Sequence, residues 1–133
     1  MFDRVDHVGI AVRDLDAAIA FYERTFGVTL AHRERVEEQG VEEAMFRVGE
    51  SWIQLLQPLG EDTPVGKYIA KRGEGVHHVG YGVTDLKEVL EHLKAEGVPL
   101  IDAEPRPGSR GSQVAFVHPK GVGGVLVELV QER

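Results

Sequence analysis

DHVGIAV, Asp6 to Val12, returns 71 residues later as HHVGYGV, His77 to Val83, so that His7 aligns with His78, Val8 with Val79, Gly9 with Gly80 and Val12 with Val83. Each copy is followed by Asp-Leu, Asp14-Leu15 and Asp85-Leu86, and then by apolar residues at the same spacing. Self-similarity at a fixed offset is the mark of a duplicated unit. The chain therefore reads as two versions of one module, each opening with a histidine on a strand.

Side chains alternate across a strand with a period of two. Val8, Ile10 and Val12 share one face in the first copy, and Val79, Tyr81 and Val83 share it in the second; this face can pack on a helix. His7, Gly9 and Ala11 lie opposite, as do His78, Gly80 and Gly82. Taken singly, a histidine among very small residues reads as close packing against another backbone. Its repetition on the same face points instead to a cavity with two ligands directed into it.

The elements that follow are also duplicated. Asp14 is positioned to cap a helix in which Leu15, Ala18, Ile19, Tyr22 and Phe26 recur at helical spacing up to Gly27. Asp85 does the same for Leu86, Val89, Leu90 and Leu93, with Glu88 at the capping-box position and Gly97 as the stop. Strands are expected at Thr29 to Val36, Glu42 to Val48 and Trp52 to Gln57 in the first half. The second half should have an extended piece near Leu100, a loop from Ala103 to Gly111, and strands at Gln113 to Val117 and Gly124 to Val130. Pro64 to Lys71 reads as a short helix in the linker. The expectation is one α+β domain over 1–133: a first βαβββ module at 1–60, a linker at 61–75 and a second module at 76–133. Neither half can bury a sheet face alone at this size, so a curved, cup-like mixed sheet follows.

Composition narrows the function. The formal net charge is −7, with a pI near 5.3, which argues against nucleic acid as a partner. No apolar run approaches a membrane span, and MFDRVDHVGI lacks the layout of a signal peptide, so a cytoplasmic protein is expected. Without cysteine, a metal site must be built from histidine and oxygen ligands.

Such ligands are available. Gln54 and Glu128 are each a lone polar residue within the mostly apolar last strand of their half, at corresponding places. With His7 and His78 they make a set of two imidazoles, an amide oxygen and a carboxylate, which suits a divalent transition ion such as Co²⁺, Mn²⁺, Ni²⁺, Fe²⁺ or Zn²⁺. Four protein ligands on an octahedral ion leave two positions for a bidentate substrate. The residues alone leave other readings open. Glu128 could be a carboxylate on an exposed edge strand, Gln54 an amide satisfied by backbone, and Glu43, in the acidic pair Glu42-Glu43, a solvated edge residue.

The duplicated βαβββ unit with ligands on first and last strands resembles the vicinal oxygen chelate superfamily, which includes glyoxalases, bleomycin resistance proteins and dioxygenases. Within it the chain is most similar to the methylmalonyl-CoA epimerase family. The likeness runs through DHVGIAV, QGVEEAMF at Gln39 to Phe46, IQLLQPL at Ile53 to Leu59, HHVGYGV, AFVHPK at Ala115 to Lys120 and GVLVEL at Gly124 to Leu129. QGVEEAM, HPK and GVLVEL are the narrower segments. The resemblance implies that His7, Gln54, His78 and Glu128 ligate a divalent metal, with Co²⁺ or Mn²⁺ favoured, and that His78 rather than His77 is the ligand. It implies Glu43 as a catalytic carboxylate, with Glu128 as a second acid/base. The implied reaction is metal-dependent epimerisation of methylmalonyl-CoA at C2 through proton abstraction and enolate stabilisation. It also implies a homodimer. The coenzyme A phosphates need cations, for which Lys67, Lys71, Arg72, Arg106, Arg110 and Lys120 are candidates. Competing readings are a glyoxalase-type isomerase, an extradiol dioxygenase using His7, His78 and Glu128, and a metal-free small-molecule-binding protein on the same fold.

Overall fold

The computed structural model describes residues 1–132. Two compact units divide the chain: His7–His77 form one, and Met1–Asp6 join the segment beginning at His78 to form the other.

The first unit takes in most of β1 (Arg4–Ala11), then α1 (Leu15–Phe26), β2 (Leu30–Val36), β3 (Val41–Val48), β4 (Ser51–Pro58) and α2 (Pro64–Arg72). Its strands lie in the order β2-β3-β4-β1, with β1 parallel to β4 and the other pairs antiparallel. Asp14 caps α1 by accepting from the Ala17 N–H at 3.1 Å. Gly27, at φ 67°, ends it in the left-handed region that a residue with a β-carbon rarely enters. Leu15 and Ile19 of α1 pack with Val12, Ala44, Phe46 and Leu55. On the opposite face of the sheet Val65 of α2 closes over Ala11, Val36, Val41 and Leu56. The alternation along the opening strand is thus realised: Ile10 and Val12 meet α1, and Ala11 faces the other way.

The second unit repeats the scheme with β5 (Gly75–Gly82), α3 (Leu86–Ala95), β6 (Arg106–Pro107), β7 (Gln113–Val117) and β8 (Val127–Gln131). Its order is β5-β8-β7-β6, with β5 parallel to β8. Asp85 caps α3 through the Glu88 N–H at 3.1 Å. Leu86, Val89 and Leu90 pack with Val83, Ala115, Val117, Val127 and Leu129. Burying a leucine side chain of this kind stabilises by roughly 1.5–3 kcal/mol.

Each module is therefore βαβββ, and the fold is the α+β mixed-sheet type expected. Two details differ. The extended piece near Leu100 is only a single bridge to Val117, and the short edge strand lies at Arg106–Pro107, inside the stretch expected to be loop. Pro105 and Pro107 lack a donor N–H, so only a two-residue edge pairing survives there. β8 starts at Val127 rather than Gly124, because Gly123 and Gly124 carry φ of 67° and 89° and spend themselves in the preceding turn.

Candidate functional site

Parallel pairing puts a glycine beside each polar residue of the last strands. Gly9 of β1 stands opposite Gln54 of β4, and Gly80 of β5 stands opposite Glu128 of β8. In both cases the glycine is two residues past the histidine, on the same face. That glycine puts no side chain of its own between the histidine and the last-strand residue. His7 and His78 are each 3% exposed, Gln54 2% and Glu128 3%, so all four are taken out of water.

In the second unit His78 Nε2 and Glu128 Oε1 are 3.0 Å apart. Phe116, paired with Glu128 across β7 and β8, sets its ring edge-on to the imidazole with centroids 5.6 Å apart. β8 lies between β5 and β7, so Glu128 is not an edge-strand carboxylate.

In the first unit Gln54 donates from Nε2 to Glu43 Oε1 at 2.8 Å. Glu43 is 0% exposed and sits on β3, which is flanked by β2 and β4. The reading of Glu43 as a solvated edge residue is excluded by that burial. A carboxylate can only accept, so the amide NH₂ group must turn toward Glu43 and the amide oxygen away from it. Gln54 Oε1 is buried and has no hydrogen-bond partner among the described residues. An orphaned buried carbonyl costs stability unless something supplies a positive or donor group. A cation is such a group. The His78–Glu128 spacing is compatible with the same use, because two donors each about 2.1 Å from one ion, at right angles, are about 3 Å apart. The donor set of imidazole and oxygen thus fits a divalent ion.

On β2, Glu34 is the cross-strand partner of Glu43 and His32 that of Met45. His32 Nε2 and Glu34 Oε1 are 2.6 Å apart, and one donor atom from each of His32, Glu34 and Glu43 lies within 4.8 Å of the others. Nothing in the residue order singles out this pair, since His-Arg-Glu on a charged strand looks like ordinary surface.

Two other sets of residues escaped the sequence reading. Asp6, on the strand face away from His7, is 0% exposed, and its carboxylate accepts from Arg4 at 2.9 Å and from Arg110 at 3.1 Å. Arg110 also reaches Glu132 at 3.1 Å, and a β-carbon at Gly82 would displace the Arg4 guanidinium. Burial opposes the charge on Arg4, yet the Asp6 hydrogen bond and the charges of Asp6, Glu132 and Asp3 together raise its pKa above the ordinary value. Gln57 Oε1 accepts from the Leu15 N–H at 2.7 Å, and Gln131 Oε1 from the Leu86 N–H at 2.8 Å, fixing the first turn of α1 and α3 to the last strand of each module. Gln57 and Gln131 are related by the same offset as Gln54 and Glu128, a signal that was there to be read.

Of the cations considered for phosphates, Lys67, Lys71 and Arg72 are exposed on or at the end of α2, and Lys120 is exposed in a turn. Arg110 is engaged with Asp6 and Glu132, and Arg106 with Asp102 at 3.3 Å, which makes both poor phosphate contacts.

Residues 6–116 match the family model of the Glyoxalase/Bleomycin resistance protein/Dioxygenase superfamily, and the chain belongs to that superfamily. Among its relatives, it is 38% identical to an ethylmalonyl-CoA/methylmalonyl-CoA epimerase of Cereibacter sphaeroides, over 98% of this chain and 99% of that protein. It is 36% identical to the mitochondrial methylmalonyl-CoA epimerase of Homo sapiens, over 96% of this chain and 73% of that one. A solved methylmalonyl-CoA epimerase in complex with methylmalonyl-CoA and NH₄⁺ is 46% identical and superposes with a TM-score of 0.96, covering 99% of this chain and 96% of that one. No helix among the described residues is long and apolar enough to cross a membrane.

Proposed function

We propose that the protein interconverts the two C2 epimers of methylmalonyl-CoA, using one divalent metal ion held by His7, Gln54, His78 and Glu128. The enzyme class is that of its relatives, an isomerase of the racemase and epimerase kind. The observation that carries the reading is the buried Glu43–Gln54 pair: a fully buried carboxylate, hydrogen-bonded to an amide whose own oxygen is left without a partner.

The chemistry follows from these residues. Methylmalonyl-CoA carries a thioester carbonyl and a carboxylate on one carbon, and removing the C2 proton puts charge on the thioester oxygen. A bound divalent ion would supply Lewis-acid stabilisation of that charge. Glu43 takes the C2 proton on one face. Its hydrogen bond from Gln54 holds the carboxylate in place and links the base to the ligand shell. Glu128 returns a proton on the other face, the two carboxylates exchanging roles for the reverse direction. Burial of both excludes water that would compete for the carbanion's charge.

The imidazole and oxygen donors suit Co²⁺, Mn²⁺, Ni²⁺, Zn²⁺ or Fe²⁺ alike, and the resemblance to the epimerase family favours Co²⁺ or Mn²⁺. Lys67, Lys71, Arg72 and Lys120 are the cations offered to the coenzyme A phosphates. The protein works in the cytoplasm as a homodimer. The test is incubation of methylmalonyl-CoA with metal-loaded protein in D₂O, read by mass. Uptake of one deuteron at C2, lost on chelation, is expected; no uptake by the metal-loaded protein would overturn the reading.

A further inference from the structure

The nucleotide end of an acyl-CoA is large and charged, so it must lie where a binding face opens to water. In the first unit one end of the sheet face that carries Gln54 is shut: Val65 of α2 closes over Ala11, Val36, Val41 and Leu56. Exposure rises toward the other end. Along β3, Glu43 and Met45 are buried and Arg47, two residues on, is exposed. Along β4, Gln54 is buried and Trp52, two residues before it, is half-buried.

We propose that Arg47, seated on Trp52, takes a phosphate group of the coenzyme A, an inference that rests on the epimerase reading above. Strand register places the pair. His7 stands opposite Trp52, and Trp52 opposite Arg47, so the three side chains form one row on the face that carries Gln54. Two strand residues span about 7 Å, which sets this row one step outward of Gln54, on the side that suits the distal phosphates better than the carboxylate on C2.

Arg47 is held ready. Its Cζ lies 4.7 Å from the centre of the Trp52 ring, and its Nε donates to the Gly49 carbonyl at 2.9 Å. Stacking and hydrogen bond together fix the guanidinium before a ligand arrives, so less side-chain freedom is lost on binding. With Nε–H used on Gly49, the terminal nitrogens remain, and their paired N–H groups match the oxygens of a phosphate. Charge supports the same use. Arg33 and Arg35, exposed on β2, are paired with Asp16, Glu42 and Glu37. Arg47 has no carboxylate partner among the described residues, in a chain of net charge −7. A cation left without an acid in an acidic protein raises the local potential toward an anion.

The diphosphate and the 3′-phosphate offer Arg47 the same chemistry, and the test separates them. It uses the metal-loaded wild type and Arg47→Gln. Trp52 is the chain's one tryptophan, so its emission reads binding directly. Each protein is titrated with coenzyme A, with dephospho-coenzyme A, and with pantetheine, which lacks every phosphate; KM is measured for the methylmalonyl thioesters of coenzyme A and pantetheine. The wild type should bind coenzyme A more tightly than pantetheine. Arg47→Gln should weaken coenzyme A by about tenfold, raise KM for methylmalonyl-CoA to match, and leave both pantetheine ligands unchanged. The same loss with dephospho-coenzyme A assigns the contact to the diphosphate, and its absence assigns it to the 3′-phosphate. Equal affinity of wild type and variant for coenzyme A would overturn the proposal. So would an equal loss for pantetheine, which marks a role in seating Trp52 alone. Failure of the epimerase reading looks different: the wild type would then exchange no C2 proton in D₂O, whatever it binds.

Discussion

The two modules share a strand order, a capped helix and an opening histidine strand; they differ in the edge strand, seven residues in β2 against two in β6, and in where their carboxylates lie. Both put a histidine on the first strand, a glycine two residues on, a polar residue beside that glycine on the last strand, and a glutamine three residues further that holds the helix. The polar residue is Gln54 in one and Glu128 in the other. Strand register makes Val114 the counterpart of Glu43: Glu43 pairs with Leu56 two residues past Gln54, and Val114 with Val130 two residues past Glu128. The first module thus carries its carboxylate on the middle strand, with an amide in the ligand position, and the second carries a carboxylate in the ligand position and an aliphatic residue on the middle strand. Duplication supplies matched positions. Divergence at two of them supplies two carboxylates, the pair that the proposed inversion at C2 calls for.

That contrast can be tested by breaking it. Glu43→Gln should lower epimerisation by about 10² to 10⁴ while metal content, measured by elemental analysis, stays at the wild-type value; loss of metal would move Glu43 into the ligand set. His7→Ala and His78→Ala should behave alike and oppositely to Glu43→Gln, losing metal first, with affinity weakened on the order of 100-fold. Retention of tight metal by one of them would end the equivalence of the modules. For the shared scaffold, Leu15→Ala and Leu86→Ala each remove a leucine that is 1% exposed, and each should cost about 2–5 kcal/mol in denaturant unfolding. Gln57→Ala and Gln131→Ala should cost less, about 1 kcal/mol each, since each leaves one helix-terminal N–H without its acceptor. A large inequality within either pair would show that the modules share a pattern and not an energetic role.

Much of this was legible in the chain. The repeated DHVGIAV and HHVGYGV fixed the modules, and strand alternation separated His7 and His78 from Asp6 and His77 without coordinates. Capping at Asp14 and Asp85 followed from local hydrogen-bond chemistry. What stayed hidden depends on contacts between strands that are far apart in sequence. The burial of Glu43 is set by β2 and β4 lying on either side of it, and its acidic neighbour Glu42 made it look solvated. Asp6 was placed on the strand face away from the ligand, and its hydrogen bonds from Arg4 and Arg110 help a carboxylate tolerate full burial. His32 and Glu34 come beside Glu43 because the register sets Glu34 opposite it. The edge strand at Arg106–Pro107 was missed because its prolines argue locally for a loop, and they are tolerated only because the strand is an edge.

The claim that the two carboxylates serve opposite faces is tested most directly by Glu43→Gln given each epimer of methylmalonyl-CoA separately in D₂O. With Glu128 still in place, one epimer should exchange its C2 proton without inverting and the other should neither exchange nor invert. Exchange of both epimers at the wild-type rate would contradict it.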